Sequence, residues 1–241
     1  MGQFSAYKGF VDLRYRPSDD DLICEFSVEP SPGFTVKDVA EHIAGESSVG
    51  TWTEVLTSQY GVKVEGAKVF HISGNYVTVA YPVELFEPGN MPQILSSIAG
   101  NIYGMKSIQK LRLEDIHWPH KLIKSFKGPM FGIEGIRKLT RIKERPLVGS
   151  IIKPKLGLDW KDHAKVAYEA WVGGIDIIKD DENLTSQSFN NFYDRIRETV
   201  KMKFKAERKT GEKKIYMANV TAETKEMLKR AQFAKDEGNE Y

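Results

Sequence analysis

Two short stretches carry residue types that do chemistry. Lys179-Asp180-Asp181-Glu182 sets a lysine beside three carboxylates, and Lys153-Pro154-Lys155 sets two lysines either side of a proline. Each follows an apolar run, LVGSII before Lys153 and IDII before Lys179. Carboxylate oxygens at this density suit a hard cation such as Mg2+, which keeps positions free for water and substrate when few protein oxygens hold it. Along an extended strand Lys153 and Lys155 point the same way. Two ammonium groups held close lower each other's proton affinity, which fits one of them to act as a general base. The same letters also fit two solvated lysines at a strand end, and an acidic loop with Lys179 as its counter-ion. Residue types and spacing leave both readings open, the solvated one being the commoner.

The elements that must place these residues are β/α units. Strands are expected in LVGSIIK (147–153), GIDIIKDD (174–181) and KIYMANV (214–220), with helices over 160–172, onward to about 208, and over 222–237. Apolar strands alternating with long helices predict a parallel sheet buried on both faces. In a β/α barrel the chemistry lies at the carboxyl ends of the strands. The first strand delivers Lys153 and Lys155 there, the second Lys179, Asp181 and Glu182, and the third Asn219. Three parallel strands neither close an eightfold barrel nor cover their own edge. The sequence is therefore expected to be an incomplete folding unit, with a fourth strand due at about 239–241.

The first 128 residues have a different rhythm. FVDLRYR (10–16) and LICEFSV (22–28) alternate and read as an antiparallel hairpin, and a second hairpin is expected across Gly74 between residues 68–73 and 75–82. Thr35 is placed to cap a helix through Ile43, and another helix fits 91–99. Strands interrupted by separate helices predict an α+β domain over 1–128, followed by the barrel start over 129–241. His117 and His120 have HxxH spacing, but Pro119 and the lack of acidic or cysteine neighbours argue against zinc. KMKFKAERK (201–209) reads as a solvated basic helix face.

Composition narrows the setting. The chain has 241 residues, 41% hydrophobic and 28% charged, as a folded globular protein does. With 35 Lys+Arg against 33 Asp+Glu, the net charge of +2 lacks the basic excess of a nucleic-acid binder. The single cysteine, Cys24, reads as a small buried hydrophobe and points to a reducing compartment. No stretch approaches the roughly 20 apolar residues of a membrane span, and residues 1–10 have no apolar signal core. A cytoplasmic protein is expected.

Taken together, GSIIKPKLGL (149–158) and GGIDIIKDDENLTSQSF (173–189) resemble the large subunit of ribulose-1,5-bisphosphate carboxylase/oxygenase, RuBisCO. The resemblance extends through GESSVGTW (45–52), AGNIYGMK (99–106), LRLEDI (111–116), GPMFGI (128–133) and the stretch from NVTA (219–222) to KRAQFA (229–234), in a form nearest the archaeal form III enzymes. It implies a ferredoxin-like α+β domain followed by the first three β/α units of a TIM barrel. It implies carboxylation of ribulose 1,5-bisphosphate by CO2 and water to two 3-phosphoglycerate, with O2 competing in an oxygenase side reaction. Lys179 would carry a carbamate formed from a non-substrate CO2 and, with Asp181 and Glu182, would hold Mg2+.

By the same resemblance Lys153 takes part in proton transfer at the substrate carbon and Lys155 supports it. Glu46, Thr51, Trp52 and Asn101 would reach the active site of the neighbouring subunit: Thr51 and Trp52 at one phosphate, Asn101 orienting substrate and metal, Glu46 pairing with a lysine on a mobile barrel loop. A homodimer is the implied minimum unit, with a larger oligomer open. Ile151 stands where many relatives carry threonine. The mobile-loop lysine, the substrate-binding histidines and arginine, and the second phosphate site belong to later strands of the family, so the chain alone is expected to be inactive. Two other readings stand beside this one: a RuBisCO-like enolase or isomerase of sulfur salvage, and a non-catalytic assembly piece.

Overall fold

The computed structural model describes residues 7–53 and 64–239. The chain divides into two compact units, Met1–Gly128 and Pro129–Tyr241.

The first unit is built on β1 (Leu22–Pro30), whose alternation buries Leu22, Cys24, Phe26 and Val28 on one face. It lies between β3 (Tyr76–Tyr81) and β4 (Ile108–His117), antiparallel to both, with Cys24 opposite Val79 on one side and Ile116 on the other. β2 (Lys68–Ser73) completes the sheet order β2-β3-β1-β4. Gly74 makes the β2–β3 turn at φ +57, in the left-handed region open to glycine. Helix α1 (Val36–Glu46) starts at a capping box in which the Thr35 hydroxyl accepts from the Asp38 N–H and the Asp38 carboxylate accepts from the Thr35 N–H. Its residues Val39, Ala40, Ile43 and Ala44 pack into the same core as Ile94 and Ile98 of α2 (Met91–Ile98). The order β1-α1-β2-β3-α2-β4 on this sheet is the split βαβ, ferredoxin-like arrangement.

The second unit carries three parallel strands, β5 (Gly149–Ile151), β6 (Ile177–Lys179) and β7 (Ile215–Met217), in spatial order. A short helix, α3 (His120–Lys124), closes the first unit, and α4 (Gly132–Thr140) opens the second. Each strand then leads into its own helix: α5 (Trp160–Val172), α6 (Phe192–Thr210) and α7 (Thr224–Asp236). Asp159 and Asn191 cap α5 and α6, each accepting two backbone N–H groups, and Gly211 ends α6 at φ +73. This is a partial barrel sheet backed by helices. Trp171, Phe192, Ile196, Val200 and Tyr216 form its core.

Four expectations need correction. Residues 10–16 are no strand: Val11 makes one isolated parallel bridge to Val69, and both edges of β1 are taken by β3 and β4. The parallel strands are not buried on both faces, since every residue of β5 is exposed and Met217 of β7 is half exposed. Lys203 does not belong to a solvated basic face; it is buried, and its ammonium donates to the Gly238 carbonyl at 3.2 Å. The extended strand behind the Lys153/Lys155 argument ends at Ile151, and a cis Lys153–Pro154 bond follows.

Candidate active site

The residues after β5 and β6 meet at one rim, as parallel pairing of Ile151 with Lys179 requires. Lys153 reaches across and its ammonium donates to Asp181 Oδ2 at 2.8 Å. Lys179 turns the other way, donating to Glu182 Oε1 at 2.6 Å and to the Asp180 carbonyl at 2.8 Å. The partner of Lys153 is thus the Asp181 carboxylate rather than the Lys155 ammonium. Asp181 is buried, Glu182 exposed, and Lys179 lies between them. The Lys153 hydrogen bond, the Asn183 N–H and the nearby Lys155 charge hold the Asp181 carboxyl below its ordinary pKa. Lys179 does the same for Glu182.

Beneath this rim, Asp180 points into the core. Burial pushes its carboxyl up, but the His163 hydrogen bond, the Arg195 charge and the Asn219 N–H outweigh that and keep it below its ordinary range. The Tyr216 hydroxyl donates to both its oxygens, at 2.8 and 3.0 Å.

These features sit on a chain whose relatives are plain. Residues 9–122 match the ribulose bisphosphate carboxylase large chain, N-terminal domain, and residues 132–241 match the catalytic domain of that chain. The chain belongs to the RuBisCO large-chain family. It is 49% identical over 242 residues to the ribulose bisphosphate carboxylase of Methanocaldococcus jannaschii, covering 96% of this chain and 56% of that protein. To the Methanosarcina mazei protein it is 48% identical over 238 residues, covering 97% and 56%. Among solved structures it superposes on the dimeric archaeal Rubisco of Hyperthermus butylicus with a TM-score of 0.88 at 46% identity, covering 97% of this chain and 56% of that one. The octameric enzyme of Pyrococcus horikoshii gives 0.88 at 42%, covering 98% and 57%. The RuBisCO-family chain therefore spans about half the length of the relatives it matches.

The N-terminal residues singled out by resemblance gather in the first unit of this RuBisCO-family chain. Glu46 ends α1, and its two carboxylate oxygens accept from Asn101 Nδ2 at 3.2 Å and from the Tyr7 hydroxyl. Glu46, Asn101 and Trp52 line one cavity of about 530 Å3 together with Tyr7, Phe34 and His42. Trp52 is 69% exposed, so its ring is open to a ligand or another surface. Thr51 is half-buried beside it and does not line the cavity. His42 Nδ1 lies 2.8 Å from Ser107 Oγ, and burial lowers its pKa.

Reading by residue type missed Tyr7, His42, His163, Arg195 and Tyr216. Each has a partner that lies from 15 to 65 residues away. The one available signal was Asp180 itself, a second aspartate in an apolar strand end.

Proposed function

We propose that this chain supplies the activating and metal-binding side of a Mg2+-dependent ribulose 1,5-bisphosphate carboxylase, with an oxygenase side reaction. The observation that carries the reading is the charge balance at the rim. Lys153, Lys179, Asp181 and Glu182 sum to zero as two ammonium and two carboxylate groups. Among the described residues no group of three His, Cys, Asp or Glu could hold a metal ion, so two carboxylates alone fall short. If Lys179 loses a proton, adds CO2 through a new N–C bond and releases a second proton, its charge changes from +1 to −1. The four groups then total −2, which one Mg2+ neutralises, and the new carbamate oxygen joins Asp181 and Glu182 in an all-oxygen donor set. The residues fit the ion only in that state.

When bound, Mg2+ would polarise the substrate carbonyl and hydroxyl oxygens and stabilise the enediolate. The residues of the chain do the rest. Lys153, 61% exposed and hydrogen-bonded to Asp181, holds a proton at the edge of the site for exchange with the substrate carbon. Lys155 adds positive charge beside it. Glu46, Thr51, Trp52 and Asn101 serve the active site of a second subunit, Thr51 and Trp52 at a phosphate and Asn101 toward substrate and metal, so the working unit is a homodimer or a larger assembly of dimers. Dimeric and octameric relatives support this. The buried, unpaired Cys24 supports a reducing, cytoplasmic setting, and among the described residues no helix is long and apolar enough to cross a membrane.

The test is 13CO2 NMR with Mg2+ present. A carbamate signal that appears with 13CO2, strengthens on adding the ion and vanishes in Lys179→Arg is expected. Metal affinity indifferent to CO2 would sink the reading. On the same reading the remaining substrate contacts lie in the half of the relatives that this sequence does not span. Residues 1–241 alone then form the activated site without fixing labelled CO2 onto ribulose bisphosphate.

A further inference from the structure

Asn219, just after β7, makes two kinds of contact at once. Its backbone N–H donates to Asp180 Oδ2 at 3.1 Å, below the rim. Its side-chain amide donates upward to the carbonyls of Asp181 at 3.2 Å, Glu182 at 3.0 Å and Leu184 at 3.0 Å. Three backbone carbonyls of the loop bearing both proposed metal ligands are therefore hung on one amide. That amide is oriented in turn, because Asn219 Oδ1 accepts from the Thr221 N–H at 3.0 Å. Asp180 is held from below by His163 Nε2 at 3.0 Å, Arg195 Nε at 3.2 Å and the Tyr216 hydroxyl.

We infer that Asn219 is a positioning residue for the Asp181 and Glu182 carboxylates, and that buried Asp180 is its anchor. Neither side chain would touch the ion or the substrate. Asn219 fixes the main chain from which the two ligands project, so that both remain beside Lys179 Nζ when Lys179 changes from cation to anion. Without the amide, repulsion among three anions is free to splay the loop, and the ion has to pay for regathering it. Loss of such an outer contact weakens metal binding by about 10–100-fold.

The inference rests on the metal-site reading above, and the experiment separates the two. The full chain is titrated with Mn2+ by electron paramagnetic resonance, with and without bicarbonate, as wild type, Asn219→Ala and Tyr216→Phe, and each is melted by circular dichroism. The expected result is a bicarbonate-dependent Mn2+ site in the wild type, weakened at least tenfold in Asn219→Ala and less in Tyr216→Phe, where Arg195 and His163 still hold Asp180. An ordinary turn residue lowers the melting temperature and leaves Mn2+ affinity at the wild-type value, and that result overturns the inference while leaving the metal site standing. If Asn219→Ala does not fold, Tyr216→Phe decides: unchanged affinity overturns the inference, and weakened affinity at temperatures where it is fully folded supports it. A wild type with no bicarbonate-dependent site overturns the functional reading and the inference with it.

Discussion

Arg195→Met is the most informative single change for the network below the rim. Arg195 and Asp180 are both fully buried, and the guanidinium donates to Asp180 Oδ2 at 3.2 Å, to Asn190 Oδ1 at 3.1 Å and to the Thr185 carbonyl at 2.9 Å. Methionine keeps much of the apolar stem and removes every donor. Asp180 then keeps the Tyr216 hydroxyl, the Asn219 N–H and His163, but no fixed cation. Removing one partner of a buried ion pair costs about 3–5 kcal/mol, because the other charge remains in a low-dielectric interior. That is a large share of the roughly 5–15 kcal/mol that holds a domain folded.

The pH dependence gives the check. In the wild type the folded pKa of Asp180 is depressed, so its contribution is present above the unfolded value of about 3.9 and is lost as pH falls through the folded value. In Arg195→Met the carboxyl loses its cation, its pKa rises, and acid relieves the penalty by protonating it. Urea unfolding followed by circular dichroism between pH 7 and pH 4 is expected to show a deficit of about 3–5 kcal/mol at pH 7 that narrows toward pH 4. A deficit below about 1 kcal/mol at pH 7, or one independent of pH, would refute the reasoning.

Thr35→Ala removes half of the α1 capping box and is expected to destabilise the first unit by about 1 kcal/mol, seen as a lower melting temperature. Arg145→Gln breaks the paired contacts to buried Asp176 at 2.6 and 2.7 Å. The Arg145 hydrogen bond depresses the Asp176 pKa, so the variant is less stable than wild type at neutral pH and the gap closes as pH falls below about 4, as thermal melts at several pH values would show. Burial pushes the Cys24 thiol up and encloses it, so a disulfide reagent is expected to label it at the rate of unfolding, slowly in buffer and at once in urea.

Local signals read well from the sequence. Thr35 as the cap of α1 and the Gly74 turn each involve groups within a few positions, where the chain has little choice. Residues 10–16 show the limit, because alternation reports that a segment could pair and says nothing about whether an edge is free. Lys203 and Lys214 show another. Lys214 is fully buried, donating to the Ile175 carbonyl at 3.1 Å and to Glu212 at 2.7 Å, and no charge pattern reveals a carbonyl waiting 39 positions upstream. At the site, the Lys179–Glu182 contact spans three positions and was legible. The Lys153–Asp181 contact spans 28 and followed only from the convergence of barrel strand ends. Asp180 and Asp181 are the same letter twice, and only packing decides that Asp180 points into the core while Asp181 meets Lys153 at the rim.

The fastening of Asp180 also sets an order of events. Of its partners, His163 precedes it in the chain by 17 residues, whereas Arg195, Tyr216 and Asn219 follow it by 15, 36 and 39. A chain made from its N-terminus at 5–20 residues per second takes about 2–8 s to travel from Asp180 to Asn219. During that interval the loop of residues 181–184 exists without the Asn219 amide that contacts its carbonyls. The acidic stretch therefore spends its first seconds without these contacts, and on the proposed reading it becomes a preorganised site only when β7 docks. Any early capture of a metal ion on the ribosome would have to be by this loose form, with the affinity of a flexible peptide.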